Sequence, residues 1–129
     1  MPVKDYRELE IWKRGISLVE DIYAITRTFP KEETYCLTGQ IRKSAISVPS
    51  NIAEGFARSN NNEYKQFLYY SLGSCAEATT QIVIASRLKY VTEKQADELA
   101  DKLNVLSKMI MSLIKKLKCI DTQRLATSD

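Results

Sequence analysis

Residues 92–117, TEKQADELADKLNVLSKMIMSLIKKL, decide the fold. Ala96, Leu99, Leu103, Leu106, Ile110, Leu113 and Leu117 recur there at alternating spacings of 3 and 4 residues. That is a heptad seam of three repeats, the pattern of helices packed about 20° from parallel in a bundle. Thr92-Glu93-Lys94-Gln95 opens the helix as a capping box, the hydroxyl and the amide oxygen each accepting from the other residue's backbone N–H. A seam this narrow cannot be buried alone, so the rest of the chain must supply its neighbours.

Upstream, periodicity predicts three more helices. The first spans residues 6–29 and stops at Pro30, which cannot continue it. Leu9, Trp12, Ile16, Val19 and Tyr23 form one stripe; Ile11, Leu18, Ile22, Ile25 and Phe29 form a second beside it. Together they cover roughly half the circumference, where one core face needs about 100°. The second helix starts near Lys31 or Glu32. Its apolar residues Leu37, Ile41, Ala45, Val48, Ile52 and Phe56 are spaced 4, 4, 3, 4 and 4, a phase that passes through Pro49 without a slip. This predicts one helix kinked at Pro49, with Ser47, Ser50 and Asn51 placed to satisfy loosened backbone groups. Gly55 and the polar run 58–62 end it.

The third helix is expected over residues 62–89, with Asn60 or Asn61 as N-cap. Between Gln66 and Ser86 its one charged residue is Glu77. Phe67, Leu68, Tyr69, Tyr70, Leu72, Ile82, Val83 and Ile84 point in almost every direction, and residues 73–80 are mostly small. A helix apolar all round must be buried all round. One bundle leaves each helix a wet face, so this helix predicts an oligomer, with Tyr69, Tyr70, Gly73, Ser74 and Ala76 at the interface. Short connections at 30–31, 58–61 and 90–92 imply antiparallel neighbours. The expected fold is an all-α, antiparallel up-down-up-down four-helix bundle over residues 1–118, with 119–129 a frayed or disordered tail.

Composition agrees with this reading. A chain of 129 residues suits one domain. With 44% hydrophobic and 27% charged residues it is not disordered throughout, and four glycines and three prolines are too few for an all-β protein. The start MPVKDYRELE has no apolar core of a secretory signal, and no apolar run approaches the roughly 20 residues that cross a bilayer. Cys36, Cys75 and Cys119, an odd count widely spaced, fit reduced thiols in a cytoplasm.

The chemistry is sparse. The chain has no histidine, no glycine-rich phosphate loop and no Cys-x-x-Cys pair, so no catalytic residue, metal, cofactor or small-molecule substrate is expected. Glu54 and Glu77 read better as carboxylates satisfied by Asn51, a tyrosine hydroxyl or Arg42 than as an acid and base pair. Lys108, Lys115, Lys116, Lys118 and Arg124 near the C-terminus are what helix-dipole complementarity alone would produce. Arg42, Lys43, Arg58 and Lys65 flank the kink and the following turn, and are the better candidates for phosphate contacts, a solvated charged face being the alternative. A ring would multiply the net charge of +3 by its copy number.

The run Val48-Pro-Ser-Asn-Ile-Ala-Glu-Gly55, with Arg58 after it, resembles the signature of the four-helix-bundle family of 23S rRNA-intervening-sequence proteins. Leu9-Glu-Ile-Trp-Lys13, Phe29-Pro-Lys-Glu-Glu33, Leu37-Thr-Gly-Gln-Ile-Arg-Lys43 and Gly73-Ser-Cys-Ala-Glu77 with Gln81 are similar to it too, so that the resemblance covers residues 5–116. Two positions depart from the pattern: Ala78, where a larger aliphatic is usual, and Lys89, where glycine is common. The resemblance implies a bacterial, non-enzymatic protein forming homopentameric rings, with relatives that serve reverse transcriptases as nucleic-acid-binding accessories. It makes Pro49, Asn51, Glu54 and Gly55 structural signature residues. Two functions follow: an RNA- or DNA-binding ring, or an assembly adaptor without nucleic acid.

Overall fold

The structure is a computed structural model that describes residues 3–127, and side chains over residues 3–121. Four helices account for nearly all of it: α1 (Glu10–Thr26), α2 (Leu37–Phe56), α3 (Asn61–Arg87) and α4 (Glu93–Thr127). Short 3-10 turns at Tyr6–Glu8 and Lys31–Glu33 precede α1 and α2, and no strand occurs among the described residues.

Local chemistry sets the helix ends, and shortens α1 and α2 relative to the sequence reading. Asp5 caps the first 3-10 turn by accepting from the Arg7 N–H, and extended backbone at Leu9 delays α1 to Glu10. At the other end α1 stops at Thr26, short of Phe29, whose N–H turns back to the Thr26 carbonyl at 3.1 Å just before Pro30. Residues 31–33 form their own 3-10 turn, and the non-helical backbone of Cys36 holds the start of α2 back to Leu37. α3 starts at Asn61 because Asn60 caps it, its side-chain oxygen accepting from the Glu63 N–H at 2.9 Å.

α2 runs unbroken through Pro49. Pro49 has no N–H for the Ala45 carbonyl. One turn on, the Asn51 amide donates at 2.9 Å to both the Ser47 carbonyl and the Ser47 hydroxyl.

Each helix packs on the next, and α4 returns to α1, so the four close a square around one shared core. Contacts along each edge run in opposite senses. Thr26 and Gly15 on α1 face Arg42 and Pro49 on α2; Val48 and Ser47 on α2 face Ser71 and Ser74 on α3. Lys65 and Cys75 on α3 meet Asp121 and Ser107 on α4, and Asp21 on α1 meets Lys102.

The core is aliphatic, with Ile22, Ile41, Ile52, Leu68, Ile82, Leu103, Leu106, Ile110 and Ile114 fully enclosed. Leu113, placed on the seam by strict heptad spacing, is only partly buried, and Ile114 takes its place. A helix of 3.6 residues per turn drifts against a 3.5-residue repeat, so the contact line advances by one residue over such a length.

α3 keeps apolar residues on both its inner and its outer face. Leu68, Ser71, Ser74, Cys75, Ala78, Ile82 and Ala85 are buried, whereas Tyr69, Tyr70, Val83 and Ile84 remain 42–49% exposed within the single chain. α4 stays helical past Cys119, where the sequence ended the bundle, and Asp121 ties it back to α3. Ser128 and Asp129, the end of the expected tail, lie outside the described residues, as do the side chains of 122–127, Arg124 among them.

Candidate nucleic-acid interface

The four basic residues singled out from sequence do not form one patch. Arg42 is half-buried and works inside the fold: its Nε donates to Thr26 Oγ1 at 2.9 Å, and its guanidinium lies 4.4 Å from the centre of the Tyr23 ring. It clamps the end of α1 to the start of α2. Lys43 is exposed, on the rim of an open groove of about 400 Å³ between α2 and α3, lined also by Gln40, Ser44, Glu77 and Gln81. Arg58 lies sixteen residues beyond Arg42, about 24 Å along at 1.5 Å per residue. It pairs with Glu54 at 3.1 Å while its guanidinium covers the Phe67 ring at 4.7 Å. Lys65 is only 16% exposed and is paired with Asp121, which also accepts from Asn61.

The carboxylates separate in the same way. Glu54 pairs with Arg58 and Glu77 accepts from Ser44 at 3.3 Å, so neither takes the partner expected from sequence. They occupy different levels of the bundle and make no acid and base pair. Among the described residues no cluster of three His, Cys, Asp or Glu is placed to hold a metal ion. All three cysteines are free thiols; burial pushes that of Cys75 up, against an opposing hydrogen bond with Ser107.

The signature residues have physical reasons. A Cβ on Gly55 would lie 2.8 Å from the Phe67 Cβ, so α3 crosses α2 there at a distance only glycine allows. Pro49 packs on Gly15, where a Cβ would meet the proline ring at 3.1 Å. Asn51 begins a polar seam that continues from the Ser47 hydroxyl to that of Ser74 at 2.9 Å; beside it Ser71 donates to the Val48 carbonyl at 2.8 Å. Ser74, expected at an interface between copies, is thus turned inward against α2. Tyr69, Tyr70, Gly73 and Ala76 do lie on the outer face of α3.

Charge is where the antiparallel order matters. One half of the bundle gathers residues 3–17, 50–70 and 110–121, with nine basic and six acidic side chains. The other half, residues 18–49 and 71–109, has nine of each. The whole net charge of +3 therefore sits at one end, around Lys4, Lys13, Arg58, Lys115, Lys116 and Lys118. Four of its six carboxylates, on Asp5, Glu10, Glu54 and Asp121, are already paired with arginine or lysine.

Sequence spacing missed an aromatic group at that end. The Phe67 and Tyr70 rings meet edge to face at 5.5 Å, and the Lys118 ammonium lies 5.6 Å from the centre of the Tyr69 ring. The Gln66 amide donates to the Tyr70 hydroxyl at 2.7 Å. Phe56 and Tyr64 pack edge to face beneath, where burial pushes the Tyr64 phenol up to about 12.

The model of the 23S rRNA-intervening sequence proteins matches residues 7–112, most of the chain and all but the last turns of the square. The chain belongs to that family. The 23S rRNA-intervening sequence fold is also similar to a crystal structure of a protein of unknown function from the S23 ribosomal protein family of Bacteroides thetaiotaomicron. The match has a TM-score of 0.75 at 19% identity, covering 81% of this chain and 98% of that one. At that identity the likeness speaks for the fold alone. No curated protein matches the chain. No described helix of this family member is long and apolar enough to cross a membrane.

Proposed function

We propose that this 23S rRNA-intervening sequence protein is a non-enzymatic, homo-oligomeric nucleic-acid-binding protein of the bacterial cytoplasm. The observation that carries the reading is the gathering of the whole net charge at one end of the bundle. Phosphate contact then falls to Arg58, Lys115, Lys116 and Lys118, with Lys4 and Lys13 beside them. Arg42 and Lys65 serve the fold, and Lys43 lies at the neutral half. Copies meet through the outer face of α3, where Ala76, Thr80, Val83, Ile84 and Leu88 are exposed in the single chain. Five copies, the number the family resemblance implies, would give a ring charge of about +15, enough to hold a polyanion that one copy would not.

The test is recovery from cells at low salt, followed by light scattering and nuclease digestion of whatever copurifies. The expected result is a mass several times 14.7 kDa with bound nucleic acid that high salt releases. A protein that stays at 14.7 kDa and carries none would overturn both parts. An oligomer without nucleic acid would favour the assembly-adaptor reading, which the exposed Val83, Ile84 and Leu88 support.

A further inference from the structure

We infer that the nucleic acid taken at the basic end is single-stranded, with unpaired bases stacking on Tyr69 and Tyr70. This rests on the nucleic-acid reading above and narrows it. Both rings sit on the first turns of α3, 42% and 49% exposed, at the point where the chain's net positive charge gathers. One cation stands on Tyr69 and a second on the ring next to Tyr70. Lys118 of α4 lies over Tyr69, while Arg58, just past the end of α2, covers Phe67, whose ring abuts Tyr70. The two tyrosines thus lie between Lys118 and the Arg58–Phe67 pair.

Three further features suit a flat ligand. The rings are held on a rigid helix, so little entropy remains to be lost when a base settles on them. The Gln66 amide fixes the Tyr70 hydroxyl, which sets that ring's tilt. One turn along, Gly73 is exposed and has nothing within 4 Å of where a Cβ would be, so the backbone surface beside the rings is bare. Aromatic faces with flanking cations are how proteins hold single strands without sequence preference. A duplex keeps its bases paired and stacked, and offers these rings no free face. Burial between copies would strip water from the Lys118 ammonium beside Tyr69 and the Gln66 amide on Tyr70, whereas a phosphate would pair with the first.

The test compares a 12-nucleotide oligo(U), a 12-nucleotide oligo(dT) and a 12-base-pair duplex at low salt, on the full chain and on Tyr69→Ala/Tyr70→Ala. The oligomeric mass of each protein is measured by light scattering. A third protein, Tyr69→Trp in a Trp12→Phe background, gives an indole reporter on the platform. The expected results are tighter binding of both single strands than of duplex, and a loss of about tenfold to a hundredfold for the alanine pair at unchanged mass. The reporter emission should be quenched by the single strands and not by the duplex. Equal binding of duplex and single strands, with the alanine pair unaffected and the reporter unquenched, would overturn the stacking site and leave the nucleic-acid reading standing. Absence of binding to all three probes would overturn both. If the alanine pair dissociates the oligomer, the reporter decides: no quenching makes the tyrosines an interface between copies.

Discussion

Phe67 occupies the space that a side chain on Gly55 would need: a Cβ at position 55 would stand 2.8 Å from the Phe67 Cβ and 3.2 Å from the Tyr64 carbonyl oxygen. Neither is the far end of a flexible side chain that could swing aside. Gly55→Ala is expected to force α2 and α3 apart and destabilise the fold by about 1–3 kcal/mol, seen as a lower Tm. Gly73→Ala is the control, because position 73 is open and alanine there should stabilise α3 by about 0.5–1 kcal/mol. Equal Tm values for Gly55→Ala and the parent would show that the helices do not cross as described.

Lys89 has a φ of 68°, the left-handed region that glycine enters without strain. It closes α3 in a Schellman motif, with the Tyr90 N–H donating to the Ala85 carbonyl and the Lys89 N–H to Ser86. Lys89→Gly should raise stability by about 1 kcal/mol, read as a higher denaturant midpoint at an unchanged m-value. A lower midpoint would mean that the lysine side chain makes a contact outweighing its backbone strain.

These two sites show how far the sequence could be read. Four helices and the capping box at Thr92 and Gln95 were legible because they rest on periodicity and residue type, which are local. Thr92 and Gln95 do exchange the two expected hydrogen bonds, at 3.0 and 3.1 Å. What stayed hidden depends on which helices meet and at what level. Arg42, Lys43, Arg58 and Lys65 looked like one group along the chain, but most of the length of α2 separates Arg42 from Arg58, and Asp121, 56 residues from Lys65, engages a third. The pairing of Lys118 with Tyr69 is likewise a matter of topology.

Lys65 and Asp121 join α3 to α4 with little solvent around them. Removing one partner leaves the other poorly solvated, so Asp121→Ala or Lys65→Ala should each cost about 1–3 kcal/mol in chemical denaturation. Lys65→Ala should weaken nucleic-acid binding far less than Lys115→Ala/Lys116→Ala does. A large loss of binding from Lys65→Ala with stability intact would return it to the contact surface.

The thiols should separate by burial. Cys75 is enclosed and its pKa is raised by that burial, so little thiolate exists at neutral pH, whereas Cys36 and Cys119 are exposed. A chromogenic disulfide reagent should titrate two thiols quickly in the native protein and the third only on unfolding. Three fast thiols would mean that the interface between α3 and α4 is open.

The most direct test of the central claim is the salt dependence of binding to an oligonucleotide, measured by fluorescence anisotropy. If the basic end holds phosphates, log K should fall linearly with log salt, losing at least about tenfold between about 50 and 200 mM, with a shallower slope for Lys115→Ala/Lys116→Ala. Affinity that stays flat across that range, or a slope that those two substitutions leave unchanged, would contradict it.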